Sequence, residues 1–275
     1  MKSRKLVCIS IGSWLLTCAG AWAQTQNPAP RADFPAGPPA AYVSAETPMG
    51  TGRFPSILRM DSGLPTHTLY HPVALDRLQG QKLPLVVWGG EMPQQLYCSV
   101  GGDNASGGQL ATEHLLGLGR KRIAFMGEKS LPEPEKRYSG YQKALRKAGL
   151  KTDPSLYIPS SFAPLAAQDA LRVHLDRHGL NFDAIVAASD LIAISALGVL
   201  RERGYRVPED VSVVGYDDVD AARHSFPPLS TVHQPLDVAA RALLQSLQEV
   251  MQGRQPVSRQ LNSPLIVRAS SHSAR

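Results

Sequence analysis

The stretch at residues 182–218, FDAIVAASDLIAISALGVLRERGYRVPEDVSVVGYDD, admits few folds. Residues 182–188 form a short apolar run rich in Ile and Val, as expected of a strand covered on both faces. Ser189 and Asp190 follow at once, and short polar side chains there can cap the orphan N–H groups that open a helix. Ile192, Ala193, Ala196, Leu197 and Leu200 then recur at helical spacing, and Gly204 offers a left-handed stop. Pro208 blocks continuation, and residues 211–216 read as a second buried strand ending in Asp217 and Asp218. Two strands joined by such a helix make a right-handed parallel crossover. Ligands of such sheets bind beyond the carboxyl ends of the strands, where Ser189, Asp190, Asp217 and Asp218 stand. Spacing alone supports two readings equally: ligand contacts, or a helix cap and a turn.

Ahead of this unit the chain is heterogeneous. Residues 1–23 read as a secretory signal peptide, with Lys2, Arg4 and Lys5 before an apolar core at 6–16 and Ala21-Trp22-Ala23 as an A-x-A cleavage site. The apolar stretch is too short and too interrupted for a membrane span. Cleavage there leaves Cys98 as the single thiol, which excludes an internal disulfide and a Cys-based metal or redox pair. Residues 24–65 are rich in Pro, Ala, Gly and Ser and predict a mobile linker. Residues 83–88 predict a strand, and 67–72 a shorter one.

Downstream, residues 100–108 (VGGDNASGG) lead into a helix at 109–118, closed by Gly119, and a strand at 122–127. No G-x-G-x-x-G or G-x-x-x-x-G-K-S/T pattern is met, so the glycines read as packing and not as a phosphate cradle. An amphipathic helix at 135–148 turns Tyr141, Ala144, Leu145 and Ala148 inward. A short strand at 156–158, a helix at 165–177, an edge-type strand at 227–232, an amphipathic helix at 239–251 and a last strand at 260–267 complete an α/β pattern. The net charge of +6 permits nucleic-acid contact, but the Lys and Arg are scattered. Their densest group, Arg120-Lys121-Arg122, reads as a solvated turn. His224 and His233 lack metal-site spacing and read as structural or exposed.

AASDLIAISAL, GYRVPEDVSVVGYDD and PPLSTVHQP, in that order, resemble the effector-binding domain of LacI/GalR-type bacterial transcription regulators. The resemblance runs from about Leu83 to Ser270. It implies an α/β periplasmic-binding-protein-like fold, a Rossmann-like parallel sheet flanked by helices. It also implies a non-enzymatic, homodimeric sensor of a small-molecule effector of the sugar class, with no cofactor. Arg137, followed by Gly140-Tyr141, matches the family's R-x-x-G-h pattern, whose Arg reaches the effector; a guanidinium fork suits vicinal hydroxyls. As bare sequence, Arg137 reads first as a surface partner of Glu133 or Glu135 at the same helix end. Phe162 falls where the family stacks an aromatic on the effector, although a Phe beside a strand is more often core. Ser189, Asp190, Asp217 and Gln234 complete the implied ligand set. The V-x-x-D-N-x-x-G-G element at 100–108 is assigned by the same resemblance to the N-terminal subdomain, near the face used for dimer contacts.

The family begins with a helix-turn-helix headpiece and several strands that have no counterpart here before Leu83, so DNA binding belongs only to intact relatives. Residues 66–90 resemble instead the start of secreted α/β-hydrolases, but no G-x-S-x-G nucleophile elbow exists in the chain. The expected organisation is a signal peptide (1–23), a linker (24–65), a hydrolase-like fragment (66–90), a truncated N-terminal sensor subdomain (91–154) and a complete C-terminal one (155–270). The mismatch leads to the expectation of a fusion, or of a gene-model or recombination product, at the shared KLPLVVWGG segment. The signal peptide implies export and the family implies the cytoplasm. An exported sugar-binding protein is the alternative reading, and a hydrolase fragment a distant third.

Overall fold

The computed structural model describes residues 7–10, 56–60, 68–72, 85–89, 95 and 97–272. Its first strands are β1 (Val7–Ser10), β2 (Ser56–Met60), β3 (Thr68–Pro72), β4 (Leu85–Trp88) and β5 (Cys98–Gly102). There follow α1 (Asn104–Gly117), β6 (Ile123–Met126), α2 (Pro132–Lys147), β7 (Tyr157–Ile158), α3 (Pro164–His178) and β8 (Ala184–Ala187). The chain continues through α4 (Asp190–Glu202), β9 (Ser212–Asp217), α5 (Asp220–His224), β10 (Ser230–His233), α6 (Leu236–Met251), β11 (Arg259–Leu261) and β12 (Leu265–Ile266).

The unit β8–α4–β9 is the centre of a six-stranded sheet of order β12-β10-β9-β8-β6-β7, parallel except for β12. Ala184 to Ala187 are all buried, as are Ser212 to Tyr216, because helices cover both faces. Ile185, Val186, Val213 and Val214 pack with Phe125, Phe182 and Ile192 into one core, each large apolar side chain contributing about 1.5–3 kcal/mol. Gly204 adopts φ +79° past the end of α4, the left-handed stop its position predicts. A smaller sheet of order β1-β4-β5-β11 is parallel throughout. Helix α6 lies on it, and Val86, Cys98, Val100, Ala242 and Leu247 form a second, separate core. Strands β2 and β3 make an antiparallel pair.

Within the described residues the chain passes three times between the two sheets: after β5, after β10, and between β11 and β12. This moves the expected subdomain boundary. Residues 91–154 do not stay together, because α1, β6 and α2 belong with the large sheet while β5 belongs with the small one. The strand at 123–126 has neighbours on both sides, β7 and β8, and β5 is flanked by β4 and β11. The expected single strand at 260–267 is two short strands, one in each sheet, separated by the last crossing. The strand at 230–233 is not an edge, because β12 covers it.

Of the expected signal peptide, only Val7–Ser10 is described, as a strand beside β4. The linker at 24–65 contains β2, so it is not without structure throughout, and the hydrolase-like fragment at 66–90 contributes β3 and β4. The remainder of these three segments lies outside the described residues.

Candidate functional site

The first determinant of the site is the contact between α1 and α2. Asp103 caps α1, its carboxylate accepting from the Ser106 amide at 3.0 Å and the Ser106 hydroxyl at 2.6 Å. The helix therefore begins at Asn104, five residues before the expected start at 109. Gly108 faces the Arg137 backbone so closely that a Cβ would collide with its carbonyl oxygen, and a Cβ on Gly140 would meet the Ala105 carbonyl oxygen in the same way. The packing role expected of these glycines is what the structure shows. The two helix backbones touch, and Arg137 is carried inward beside Asn104.

Arg137 is 5% exposed. Its Nε donates to Asn104 Oδ1 at 2.7 Å, and Nη1 donates to the Ala188 carbonyl. Nη2 stands 3.6 Å from Asp217 Oδ1, and the guanidinium lies 3.7 Å above the Tyr216 ring, a cation–π contact. Asn104 in turn donates to the Gly102 carbonyl at 3.2 Å. One guanidinium thus joins α1, the carboxyl end of β8 and the carboxyl end of β9. A surface pairing with the helix's own start, open on sequence grounds, is not its position.

Asp217, the last residue of β9, and Asp218 after it stand at φ +115° and +57°, conformations that residues with a Cβ seldom adopt. Asp190, fully buried at the start of α4, accepts from the Val219 amide at 2.9 Å and from the Thr231 hydroxyl at 2.6 Å. Burial first, and then the Asp217 charge, push its carboxyl from 3.8 up to about 7. Asp218 points the other way. Arg268 Nη2 lies 2.6 Å from its Oδ1, His233 Nδ1 2.9 Å from its Oδ2, and Arg223 3.6 Å away. Burial works to raise the Asp218 carboxyl, but the hydrogen bonds from Arg268 and His233 prevail and hold it below the usual value.

Gln234 is buried at the second crossing. Its Nε2 stands 3.5 Å from Asp217 Oδ1, and its Oε1 accepts no hydrogen bond among the described residues. Ser189 accepts from the Ile192 amide at 3.3 Å, so its hydroxyl caps α4. The structure thus brings Arg137, Ser189, Asp190, Asp217 and Gln234 together at the strand ends. Phe162 does not join them. It follows β7, an edge strand two places from β8, or roughly 10 Å at the usual strand spacing, and packs in the large core. Asn104, Tyr216, Thr231 and Arg268 belong to the constellation but were not singled out. The signal available was weak: only their places in VGGDNASGG, GYRVPEDVSVVGYDD and PPLSTVHQP, and next to the last strand at 260–267, marked them. A cavity of about 200 Å³ opens beside Asn104, lined by Gly89, Gly102, Lys136, Ser258 and Arg259 among others, between the small sheet and the start of α1. Among the described residues no cluster of His, Cys, Asp or Glu is arranged to hold a metal ion.

The profile of the periplasmic binding protein-like domain matches residues 112–271. The chain is 39% identical over 190 residues to the HTH-type transcriptional regulator CelR of Thermobifida fusca, covering 67% of this chain and 56% of that protein. It is 34% identical over 221 residues to the HTH-type transcriptional repressor PurR of Haemophilus influenzae, covering 77% of this chain and 65% of that protein. Among solved structures, a complex of the regulator CelR with cellobiose superimposes with a TM-score of 0.67 at 37% identity, over 72% of this chain and 62% of that one. A sugar-binding LacI-family regulator from Escherichia coli, complexed with phosphate, gives 0.64 at 29% identity, over 71% and 70%. The chain spans 56% and 65% of the lengths of these two curated relatives.

Proposed function

This chain belongs to the periplasmic binding protein-like family, as carried by LacI-type transcription regulators, and on that premise we propose that it senses a small polyhydroxylated effector, of the sugar class, without catalysing a reaction. The observation that carries this reading is the Arg137–Asp217 pair at the carboxyl ends of β8 and β9, tied through Arg137 to Asn104, which lines the cavity between the small sheet and the start of α1. A guanidinium and a carboxylate side by side offer fixed donors and acceptors, which is what neighbouring sugar hydroxyls require. Arg137, Asp217, Gln234 and Ser189 supply the polar contacts, and Gln234 Oε1 is a buried acceptor that takes no hydrogen bond among the described residues. Phe162 supplies an apolar face only for a ligand that reaches across to β7. The complex of the relative CelR with cellobiose supports the sugar class. Joined to a DNA-binding headpiece in a dimer, ligand binding between the sheets would bias their relative arrangement and so the affinity for an operator.

The test is thermal unfolding of the full chain with cellobiose, glucose and ribose, each at about 100 times a millimolar-range dissociation constant or below its solubility limit. One sugar raises the midpoint of a single transition by several degrees, and Arg137→Met weakens its affinity at least tenfold, the effect of losing one charged hydrogen bond of about 1.5–3 kcal/mol. A transition that none of the three sugars moves, or that moves equally in Arg137→Met, counts against the reading.

A further inference from the structure

The chain turns left-handed at the very end of β9, where Asp217 faces Arg137. Asp217 and Asp218 are consecutive non-glycine residues at φ +115° and +57°, and such backbone persists only where its surroundings over-determine it. Two sets of contacts do so here. On one side, Asp190 Oδ2 takes the Val219 amide at 2.9 Å, while Thr231 Oγ1 accepts the Asp218 amide at 3.3 Å and donates to Asp190 Oδ1 at 2.6 Å. The two amides that follow Asp217 are thus both caught, directly or through one hydroxyl, by Asp190. On the other side, the Asp218 carboxylate is held by Arg268, at 2.6 Å. Arg268 is itself fixed, donating to the Leu229 carbonyl at 2.8 Å and, through its amide, to Ser230 Oγ at 2.7 Å.

We propose that Asp190, Thr231 and Arg268 are positioning residues that hold the Asp217–Val219 turn left-handed and so aim the Asp217 carboxylate at Arg137. This rests on the reading of Asp217 as an effector contact, and it moves Asp190 out of the ligand set. Asp190 is fully buried, both of its oxygens are engaged, and Oδ1 lies so close to Gly215 that a Cβ there would collide with it. It has no oxygen to offer an effector. The clamp also joins three segments distant in sequence: the start of α4, β10 and the chain after β12.

Amide hydrogen exchange of the full chain, read by NMR in the wild type, Thr231→Val and Thr231→Ser, tests this without any ligand. Thr231→Val keeps the volume and removes the relay hydroxyl. The expected result is at least tenfold faster exchange at Asp218 and Val219, unchanged exchange at Val213 and Asp183, whose amides bond to Ser270 and Arg122 carbonyls, and wild-type rates in Thr231→Ser. Arg268→Met, at a side chain 16% exposed, is expected to give the same local acceleration. Unchanged rates at Asp218 and Val219 in both variants overturn the proposal, as does a uniform acceleration that includes Val213 and Asp183. A parallel titration with cellobiose separates the two readings. Loss of affinity in Thr231→Val alone supports positioning, whereas failure of the wild type to bind counts against the sugar reading and leaves the exchange result to stand by itself.

Discussion

Replacing Gly140 by Ala sets two physical effects against each other. Gly140 is inside α2, and a solvent-facing glycine-to-alanine change in a helix stabilises by about 0.5–1 kcal/mol because the unfolded chain loses freedom. Here the new methyl would collide with the Ala105 carbonyl oxygen and lie 2.7 Å from the Gln109 amide nitrogen. Both obstacles are backbone of α1, so no rotamer change relieves them and the helices must separate. Overpacking costs about 1–3 kcal/mol, and a backbone-on-backbone clash belongs at the upper end. Setting about 3 against about 1 leaves a net loss of about 2 kcal/mol, or a fall in Tm of about 4–8 °C for a domain of this size. Arg137, one turn earlier on α2, would be drawn back from Asn104, so sugar affinity should fall with stability. Gly198→Ala is the control. It lies inside α4 with nothing within 4 Å of the added methyl, and only the propensity gain should remain. Thermal unfolding followed by circular dichroism measures both. A Gly140→Ala protein as stable as the wild type, or more so, would refute the idea that this contact sets the position of Arg137.

Two further predictions concern the buried carboxyl and the smaller core. Since Asp190 is pushed up from 3.8 to about 7, the folded protein holds a proton there that the unfolded chain has released, and stability falls as pH rises from about 4 to about 7 and levels off above. Asp190→Asn should abolish that contribution, worth about 2 kcal/mol between about pH 5 and about pH 7; urea unfolding at the two pH values reads it, and an unchanged slope in the variant would mean that the proton is not bound there. Leu247→Ala should cost about 2–4 kcal/mol by opening a void among Val86, Val100 and Ala242. Because that cluster is separate from the large core, exchange should quicken in β4 and β5 and not in β8 and β9.

The central unit was legible in the sequence because each of its parts carries an unambiguous local signal. The apolar run at 184–187, the Ser189 cap, the spacing of Ile192, Ala196 and Leu200, and Gly204 all act over a few residues. What was misread depends on partners far away in sequence. The glycines at 107 and 108 looked like a turn, and only the presence of Tyr216 and of the Arg137 backbone against them makes them a helix interface. Residues 260–267 carry one continuous strand pattern, but their two halves pair with β5 and with β10, which lie in different sheets. Asp190 and Asp217 are indistinguishable by residue type and position at a strand end. Burial and the use of both oxygens separate a carboxylate that holds a turn from one that faces the cleft.

The three passages between the sheets also have a consequence for how the molecule is made. Strand β5 receives its second neighbour from β11, and Ser99 and Ser258 across that seam are 159 residues apart in sequence. Closing so long a loop is entropically unfavourable until the intervening elements have folded and brought its ends together. During synthesis the β5 edge therefore waits bare while the whole of the large sheet up to β10 leaves the ribosome. The last few residues then complete both sheets together. A stop codon after residue 258 would remove only a short tail, but it would take one strand from each sheet, together with Arg268 and its grip on Asp218.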